Sequence, residues 1–427
     1  MSKSGYDVIV VGAGPAGSIA ALVLAHGGAK VGLVDKAGIG RDKACGDLIG
    51  PRGVRLLDGL GLDVPGAMTA GDMIVAGPTG RRVLLAARAG NDYPGHAIVV
   101  PRVGFDAMLR GAALDAGAVD ISARVASLGG GRVTFDGGEA ISADFVIGAD
   151  GATSITARAA GLVDPARVLW GFAVRGYLEA DVALPVIALW NDRARQGFPG
   201  YGWLFPGPQG ANVGLGLGLG HSRQHAHRAQ QQLLEFCAHL VRIGVLEASH
   251  DNPVGRLGGW LKMGLVGTRP AAGRTLLVGD AAGLVNPLQG EGIAQAMASG
   301  KAAARAVLDA PAEAADTYRR WVRATYGSWT SVTTPVHATL VGRPRQIARL
   351  ASTLTAPVVG RMIAPTWAIF WNNLADGAAA SPATTAAKVV RQLGRVATSQ
   401  SRLRRSLRDD LGDRDDPRRL AEIGARR

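Results

Sequence analysis

Apolar residues in this chain occur either in short continuous runs or at a helical spacing. The first continuous run, at 8–11, passes directly into glycine-rich sequence, and the apolar residues Ile19, Leu22 and Val23 then lie three and four positions apart. A continuous run is typical of a buried strand, and this spacing is typical of one face of a helix. Since a second run follows in "KVGLVD", we predict that the chain opens with a strand–turn–helix–strand unit.

The same patterns predict the elements farther along the chain. Segments at about 70–100 and 168–265 combine short apolar runs with Gly and Pro, which predicts β-hairpins, with one helix in "HRAQQQLLEFCAHLVRI". Helices are also expected from about Val54 and over "RVGFDAMLRGAALDAGA". Late in the chain, "RTLLVGDAAGLVNPLQGEGIAQAMASG" predicts another strand–turn–helix unit.

This order of elements predicts an α/β fold, with a Rossmann-type nucleotide-binding domain interrupted by β-rich insertions. We expect the insertions to form one substrate domain against the nucleotide, followed by a C-terminal helical region and a basic, poorly ordered tail. The expected boundaries are 1–65, 101–165 and 266–330 for the nucleotide-binding domain, 66–100 and 166–265 for the substrate domain, 331–377 for the helical region and 378–427 for the tail.

The composition agrees with a globular protein of this kind. The 427 residues are 47% hydrophobic and include 61 glycines, and a chain of this length favours two packed domains over one core. The two cysteines, Cys45 and Cys237, lie far apart, which argues against a disulfide scaffold and favours a reducing cytoplasm. We expect no secretion signal from the polar start, and no apolar run reaches the ~18 residues of a membrane-spanning helix.

The net charge of the chain indicates which classes of binding partner to expect. Lys and Arg number 47 against 34 Asp and Glu, a formal charge of +13, and arginines concentrate near the C-terminal end. This mixed-sign run predicts a solvated tail, with attraction to an anionic membrane surface as the alternative. The interrupted apolar segment 354–371 could also lie on a membrane. No nucleic-acid motif accompanies the charge, so nucleic acid is not an expected partner. We expect a cytoplasmic monomer that binds a hydrophobic small molecule or lipid, and peripheral contact with a membrane is a further possibility.

A dinucleotide site is predicted at the first turn. Gly12, Gly14 and Gly17 stand between the first strand and the first helix, and Asp35 ends the second strand. Glycines at this spacing let backbone N–H groups at a helix N-terminus approach a pyrophosphate. An acidic residue at this distance accepts hydrogen bonds from ribose hydroxyls. The glycine spacing alone is a weak signal, and the flanking strand, helix and acidic residue make it specific.

Later motifs favour a flavin over a mobile nicotinamide. Asp280 follows an apolar strand, where its carboxylate can accept from the ribityl hydroxyls of FAD. Gly290 and Gly292 open the next helix, and their bare backbone can reach the N1/C2 edge of an isoalloxazine, where negative charge gathers on reduction. Asp150 and Gly151 close another strand near the same site. The sequence therefore predicts resident FAD.

Several stretches carry a family resemblance. The N-terminal glycine motif, "PRVGFD" and "VGDAAGLVNPLQGEGI" belong to a large group of flavoproteins, whereas "RDKACGD" and "YGWLFPGPQGANVGLG" are narrower. On these stretches, residues 6–300 resemble the FAD-dependent geranylgeranyl reductase family, within the group that shares the p-hydroxybenzoate hydroxylase fold. The chain departs from several relatives where Gly-Asp follows Cys45 and where Glu291 separates two glycines, which leaves room for a changed substrate or proton delivery.

The motifs and the resemblance together predict the cofactor contacts and imply a reaction. The expected FAD contacts are Gly12, Gly14, Ala16, Gly17, Asp35, Lys36, Arg41, Cys45, Gly46, Arg102, Asp150, Gly151, Asp280, Gly290, Gly292 and Ile293. The implied reaction is hydride transfer from reduced FAD to a C=C bond of a long isoprenoid, as a free diphosphate, a lipid or a quinone tail. The external reductant, NAD(P)H or a ferredoxin-type protein, stays open.

An aromatic stripe is the predicted substrate wall. Tyr201, Trp203 and Phe205 alternate, so in a strand they share one face, with Gly202 and Leu204 on the other. Such a stripe often fills a core, but aromatic residues make up only 5% of this chain and three of them fall within five positions. We favour an apolar wall beside the flavin, suited to an alkene without polar groups. The expected substrate contacts are Tyr201, Trp203, Phe205 and Pro287.

Cys45 and Asp47 are the catalytic candidates. Arg41 and Lys43 lie close to Cys45 in the sequence and could lower the pKa of its thiol, which would suit a proton donor or relay. A small packing residue is the alternative for Cys45. Cys237 is expected in the core, because it lies on an apolar helix face.

No metal site is expected, because the histidines do not pair at ligand spacing. His221, His225 and His227 cluster, but they stand at a polar helix start.

Two other functions stay open for the whole chain. A flavin monooxygenase would share the cofactor motifs and hydroxylate a hydrophobic or aromatic substrate, although the Y-x-W-x-F-P pattern counts against it. A flavin-scaffolded cyclase, or another tailoring protein of a hydrophobic natural product, would use the same fold without net redox chemistry. No feature of the sequence argues against this second alternative.

Overall fold

The computed structural model describes residues 5–87, 89, 94–190, 200–220, 228–340 and 343–363. The predicted tail at 378–427, the end of the predicted helical region and the histidine cluster at 221–227 lie outside the described residues.

The strands are β1 (Tyr6–Val11), β2 (Val31–Asp35), β3 (Leu48–Ile49), β4 (Met68–Ala70), β5 (Met73–Ala76), β6 (Arg82–Leu85), β7 (Ala97–Val99), β8 (Val119–Ser122), β9 (Val125–Gly129), β10 (Arg132–Phe135), β11 (Ala140–Gly148), β12 (Leu169–Leu178), β13 (Val186–Ala188), β14 (Gly200–Phe205), β15 (Ala211–Gly220), β16 (Val254–Met263), β17 (Ala271–Ala272) and β18 (Thr275–Leu277). The α-helices are α1 (Pro15–His26), α2 (Pro51–Asp58), α3 (Arg102–Asp115), α4 (Ile155–Ala159), α5 (Ala229–Arg242), α6 (Gly279–Ala282), α7 (Ile293–Asp309), α8 (Ala314–Leu340), α9 (Pro344–Leu354) and α10 (Pro357–Ile363).

A largely parallel sheet forms the nucleotide-binding half. Its order is β17-β18-β11-β1-β2-β8, with β1 parallel to both β11 and β2 and with β17 antiparallel at the edge. β9 and β10 extend β11 as antiparallel strands. The residues of β1 at 8–11 are all buried, as expected for a strand covered on both faces. The predicted Rossmann-type α/β fold is confirmed.

Two helices of this half, α1 and α2, differ from what the sequence predicts. Ten residues of α1 are buried, more than the single apolar face expected from the sequence. The reason is a close neighbour on its other side, since a Cβ on Gly300 of α7 would lie 2.2 Å from the carbonyl oxygen of Ala16. α2 begins at Pro51 rather than near Val54, because the fixed φ of proline suits the first helical position.

The second large sheet has the order β16-β12-β15-β14-β13-β5-β6. β5 runs parallel to β13, with Ile74 opposite Val186, so the two hairpin-rich segments contribute strands to one sheet. α5 covers one face, where a Cβ on Gly202 would lie 2.0 Å from the ring of Phe236. The domain boundaries themselves stay a prediction. A small third sheet has the order β3-β7-β4.

The C-terminal helices cover the edge of both sheets. Tyr318 of α8 is buried and donates a hydrogen bond to the carbonyl of Leu277 at 2.8 Å, which fastens α8 to the parallel sheet. α10 packs on β6, where a Cβ on Gly360 would lie 2.7 Å from Val83 Cγ2. Within the described ranges, no helix combines the length and apolar character needed to cross a membrane.

Candidate active site

A cavity of about 460 Å³ lies where the glycine-rich loops meet the seven-stranded sheet. Its wall combines the loop at 43–46, the aromatic face of β14 and the segment 287–293. The C-terminal helices add His337, Leu350 and Leu354. This volume is within the usual range of small-molecule sites. The cavity therefore joins all four predicted substrate residues with part of the predicted cofactor set, namely Cys45, Gly46, Arg102, Asp280, Gly290, Gly292 and Ile293.

The first glycine turn leaves room for a ligand at one position. A Cβ on Gly12 (φ +103°) would lie 2.4 Å from the carbonyl oxygen of Ala149, and a Cβ on Gly17 would lie 1.8 Å from that of Gly12. These two glycines are needed by the fold itself. A Cβ on Gly14 would meet nothing closer than Arg41 Nη2 at 3.7 Å. Gly14 precedes the first turn of α1, where free N–H groups favour an anion, so the turn fits a pyrophosphate.

Asp35 lies beside this turn, at the end of β2. Its carboxylate accepts hydrogen bonds from the backbone N–H of Ala13 at 2.7 Å and of Ala37 at 2.8 Å. Lys36 follows and is exposed. Asp35 therefore holds the glycine turn in place, and its predicted contact with a ribose stays a prediction.

Two arginines share one carboxylate next to the turn. Arg102 is buried and donates two hydrogen bonds of 2.7 Å to Asp106. Arg41 Nη2 lies 3.8 Å from the same carboxylate. Burial is the largest single influence and lowers the pKa of Arg102. Asp106 and the other partners of Arg102 together raise it by more, so the pKa lies above its usual value. The guanidinium therefore stays charged at the cavity wall.

The segment after β18 brings the second set of predicted cofactor residues together. Asp280 lies in α6, and its carboxylate pairs with Lys43 Nζ at 3.2 Å. Gly290 has φ +66°, and a Cβ on Gly292 would lie 3.6 Å from Asp280 Oδ1. Ile293 begins the long helix α7 and lines the cavity, so the positive end of the α7 dipole faces this space. The arrangement fits the predicted isoalloxazine edge.

Asp150 stabilises the turn after β11 through hydrogen bonds. Its carboxylate accepts hydrogen bonds from the Ser154 hydroxyl and from the backbone N–H of Thr156 at 3.0 Å. Gly151 follows with φ +79°. Both residues shape the start of α4, and neither lines the cavity. Their predicted contact with FAD stays a prediction.

The aromatic stripe forms a cavity wall. Tyr201, Trp203 and Phe205 all line the cavity, and the Trp203 and Phe205 rings stack with centroids 6.3 Å apart. Leu204 points to the opposite face, into the core beneath α5. Tyr201 donates a hydrogen bond to the carbonyl of Gln289, which ties the wall to the 287–293 segment. The predicted division of the strand into two faces is confirmed.

The expectation for the thiol of Cys45 is wrong in direction. Burial raises the pKa of Cys45 above its usual value, and the Arg102 guanidinium opposes this only in part. Arg41 and Lys43, the expected partners, lie instead beside Asp106 and Asp280. Cys45 does line the cavity. At neutral pH its sulfur therefore holds a proton. Cys237 is buried as expected.

Asp47 is held behind the cavity wall rather than within the cavity. Its Oδ2 accepts hydrogen bonds from the Tyr177 hydroxyl at 2.7 Å and from Asn212 Nδ2 at 2.8 Å. Burial raises the pKa of Asp47 while these two bonds oppose the rise. Its backbone has φ +60°, a left-handed conformation that the surrounding bonds must hold. The carboxylate of Asp47 thus contacts Tyr177 and Asn212 and does not line the cavity, and the catalytic role expected for Asp47 stays a prediction.

Two residues at this site were missed by the sequence interpretation. Asn212 is buried and accepts from Trp203 Nε1 at 2.8 Å while donating to the Cys45 carbonyl at 2.9 Å, so it joins wall and loop. His337 lines the cavity from α8, with Nδ1 2.7 Å from the Pro287 carbonyl oxygen. Burial lowers the pKa of His337 to about 4, so the ring is neutral. Asn212 lies within the motif "YGWLFPGPQGANVGLG", which is the signal that could have identified it. His337 had no such signal, because only the packing of α8 in the folded protein brings it to the site.

Metal ligands form no cluster in the part of the chain that the structure describes: His, Cys, Asp and Glu side chains are not grouped in threes. The histidines at 221, 225 and 227 fall outside that part.

Comparison with known proteins assigns the family. The family described as FAD binding domain matches residues 5–321. The chain is 35% identical to a menaquinone reductase of Mycolicibacterium smegmatis, over 70% of this chain and 75% of that protein. It is 34% identical to digeranylgeranylglycerophospholipid reductase 2 of Methanopyrus kandleri, over 71% of this chain and 77% of that protein. The chain belongs to the FAD-dependent geranylgeranyl reductase family.

Solved structures agree with this membership of the geranylgeranyl reductase family at the level of the fold. A geranylgeranyl bacteriochlorophyll reductase-like protein from Thermoplasma acidophilum superposes with a TM-score of 0.67 at 21% identity, over 92% of this chain and 99% of that chain. The predicted p-hydroxybenzoate hydroxylase-like fold is confirmed. FAD is the cofactor of this oxidoreductase, as predicted from the glycine motifs. The roles of individual residues stay predictions.

Proposed function

We propose that this protein reduces C=C bonds in the long isoprenoid chain of a lipid, a diphosphate or a quinone, with FAD as the resident redox group. The observation that carries the proposal is a cavity that joins Asp280 and the segment 290–293, both predicted to hold FAD, to an aromatic, apolar wall. Support also comes from the relatives, which are named as reductases of menaquinone and of digeranylgeranylglycerophospholipid.

The cavity suits a substrate without polar groups. Several charged and hydroxyl groups on its wall are already paired with protein groups: Lys43 with Asp280, Arg102 with Asp106, and Tyr201 with the Gln289 carbonyl. A hydrophilic substrate would have to break such pairs, which costs free energy in a buried site. An alkene requires no polar partner and gains from burial against the rings of β14.

When bound, FAD supplies hydride transfer, and the protein supplies binding, orientation and the proton. The Gly14 turn and Arg41 would hold the pyrophosphate, because the turn is open and a guanidinium lies above it. Asp280 and the N-terminus of α7 would hold the ribityl chain and the ring edge. The aromatic wall would orient one double bond of the chain and exclude water.

Cys45 is the proton source that the geometry favours. Its Sγ is protonated at neutral pH because burial raises the pKa of the thiol. Arg102, which interacts with the same sulfur, would stabilise the thiolate left after the proton moves to the substrate carbon. A water molecule reaching the same space is the alternative acid.

The test is a single anaerobic turnover of the reduced holoenzyme with geranylgeranyl diphosphate or menaquinone, followed by mass spectrometry of the product. We expect a product heavier by two hydrogens, with no change when the reductant is omitted. A product heavier by one oxygen, formed only when air is admitted, would identify a monooxygenase instead. An isomer of unchanged mass would identify a cyclase.

A further inference from the structure

The outer surface of α9 and α10 carries exposed apolar side chains next to the cavity. Val358 and Met362 are each 72% exposed, and Leu350 is 45% exposed. We call these three residues the α9–α10 face. Single exposed apolar residues are common on proteins, but three within thirteen positions are not an ordinary solvated surface.

The packing of α10 fixes which side faces outward. Its inner side lies so close to β6 that a Cβ on Gly360 would come within 2.7 Å of Val83 Cγ2. Val358 and Met362 are four positions apart and therefore share one side of the helix. α10 thus exposes two apolar side chains and packs inward through a glycine, whereas an ordinary surface helix turns its apolar side chains inward.

The charge around this face has one sign. Residues 343–363 contain four arginines and no Asp or Glu. Arg343, Arg349 and Arg361 are exposed. Apolar side chains with only arginines around them are the pattern of a helix that lies in the interface of an anionic membrane.

The α9–α10 face is continuous with the cavity. Leu350 and Leu354 line the cavity from α9, and Leu350 is also part of the outer surface. An isoprenoid that enters the cavity beside α9 would therefore leave its remaining length at the α9–α10 face. A bilayer is the environment that holds such chains.

We infer that the α9–α10 face docks on an anionic lipid bilayer and that the substrate chain enters the cavity beside α9 directly from that bilayer. The inference rests on the proposed function for the nature of the substrate. Docking on a bilayer is measurable without turnover, so the docking inference and the proposed function can be refuted independently of each other.

The experiment is vesicle flotation of the full-length, FAD-loaded protein with phosphatidylcholine vesicles that contain or lack phosphatidylglycerol. We expect binding to the anionic vesicles that weakens as salt is raised. The double variant Val358→Asp/Met362→Asp should bind at least ~10-fold more weakly, because both apolar contacts are lost and charges are introduced. The variant Arg349→Glu should lose about fivefold or more, as one basic residue near the surface is removed.

The matched control is Val254→Asp. Val254 is 61% exposed at the start of β16, the edge of the seven-stranded sheet opposite β6, on which α10 packs, so this variant should bind vesicles like the wild type. With detergent-dispersed substrate, the double variant should also turn over like the wild type, and only reduction of vesicle-embedded substrate should fall. If substrate is never reduced but flotation behaves as described, the proposed function fails and the docking stands.

Three results would overturn the inference. Equal flotation of the double variant and the wild type would place membrane binding elsewhere, for example in the basic C-terminal end. Equal binding to neutral and anionic vesicles would remove the role of the arginines. A wild-type dimer in size-exclusion chromatography that the double variant converts to a monomer would assign the α9–α10 face to a second copy of this chain.

Discussion

Replacing Gly14 with valine separates cofactor binding from folding. Gly14 has φ −78° and ψ −174°, an extended conformation that valine adopts without strain. A Cβ there meets only Arg41 Nη2, at 3.7 Å. The protein itself therefore leaves room for a Cβ at this position. The space that valine fills is the space in front of the α1 N-terminus, where the pyrophosphate of FAD is expected.

The size of the effect follows from the bonds that valine would block. Hydrogen bonds to a charged group contribute about 1.5–3 kcal/mol each. Loss of two backbone N–H bonds to the pyrophosphate would cost at least ~3 kcal/mol, which is a rise of ~10²-fold or more in the Kd for FAD. The purified variant should then be colourless and folded.

Two measurements check this expectation. Titration of apoprotein with FAD gives the Kd, and thermal unfolding of the apoprotein gives the stability, which should match that of wild-type apoprotein. Gly104→Val is the matched control, because Gly104 lies on α3 and a Cβ added there would have no neighbour within 4 Å, so this variant should keep its flavin. A Gly14→Val protein with wild-type affinity for FAD would refute the placement of the pyrophosphate at this turn.

The other predictions concern the wall, the proton and a buried lysine. Cys45→Ser should slow reoxidation of the reduced flavin by substrate ~10²–10⁴-fold in stopped-flow traces and leave flavin reduction unchanged; wild-type reoxidation would make water the acid. Trp203→Ala should raise KM or change which double bond is reduced, with normal flavin content, whereas Phe236→Leu on the buried side of α5 should cost only stability. If the Trp203→Ala protein loses its flavin, the aromatic stripe belongs to the hydrophobic core and does not form the substrate wall. Burial lowers the pKa of Lys262 to about 8, so its charged form destabilises the fold, and wild-type stability relative to Lys262→Met should rise by roughly 1.4 kcal/mol per pH unit between about pH 8 and 10.5. Denaturant unfolding at several pH values measures this, and a difference that does not vary with pH would mean that Lys262 is solvated.

Local patterns in the sequence determined the elements and the cofactor. The continuous run at 8–11, the glycines after it and Asp35 predict a strand–turn–helix–strand unit, because their spacing encodes backbone geometry over a few residues. The alternation of Tyr201, Trp203 and Phe205 likewise separates the two faces of β14, since successive side chains in a strand point to opposite sides. Which ligand the turns hold followed from the same local motifs.

Only the tertiary structure decided which side chains meet and what state they are in. Asp47 stands two residues from Cys45 in the sequence, yet its carboxylate turns to Tyr177 and Asn212, because partners more than a hundred positions away surround it. The sequence neighbours of Cys45 suggested a lowered thiol pKa, but burial outweighs the charge of Arg102 and raises it. His337 reaches the cavity only because α8 packs against the β17–β18 edge of the parallel sheet. Burial and long-range contact depend on the whole fold, and no local spacing encodes them.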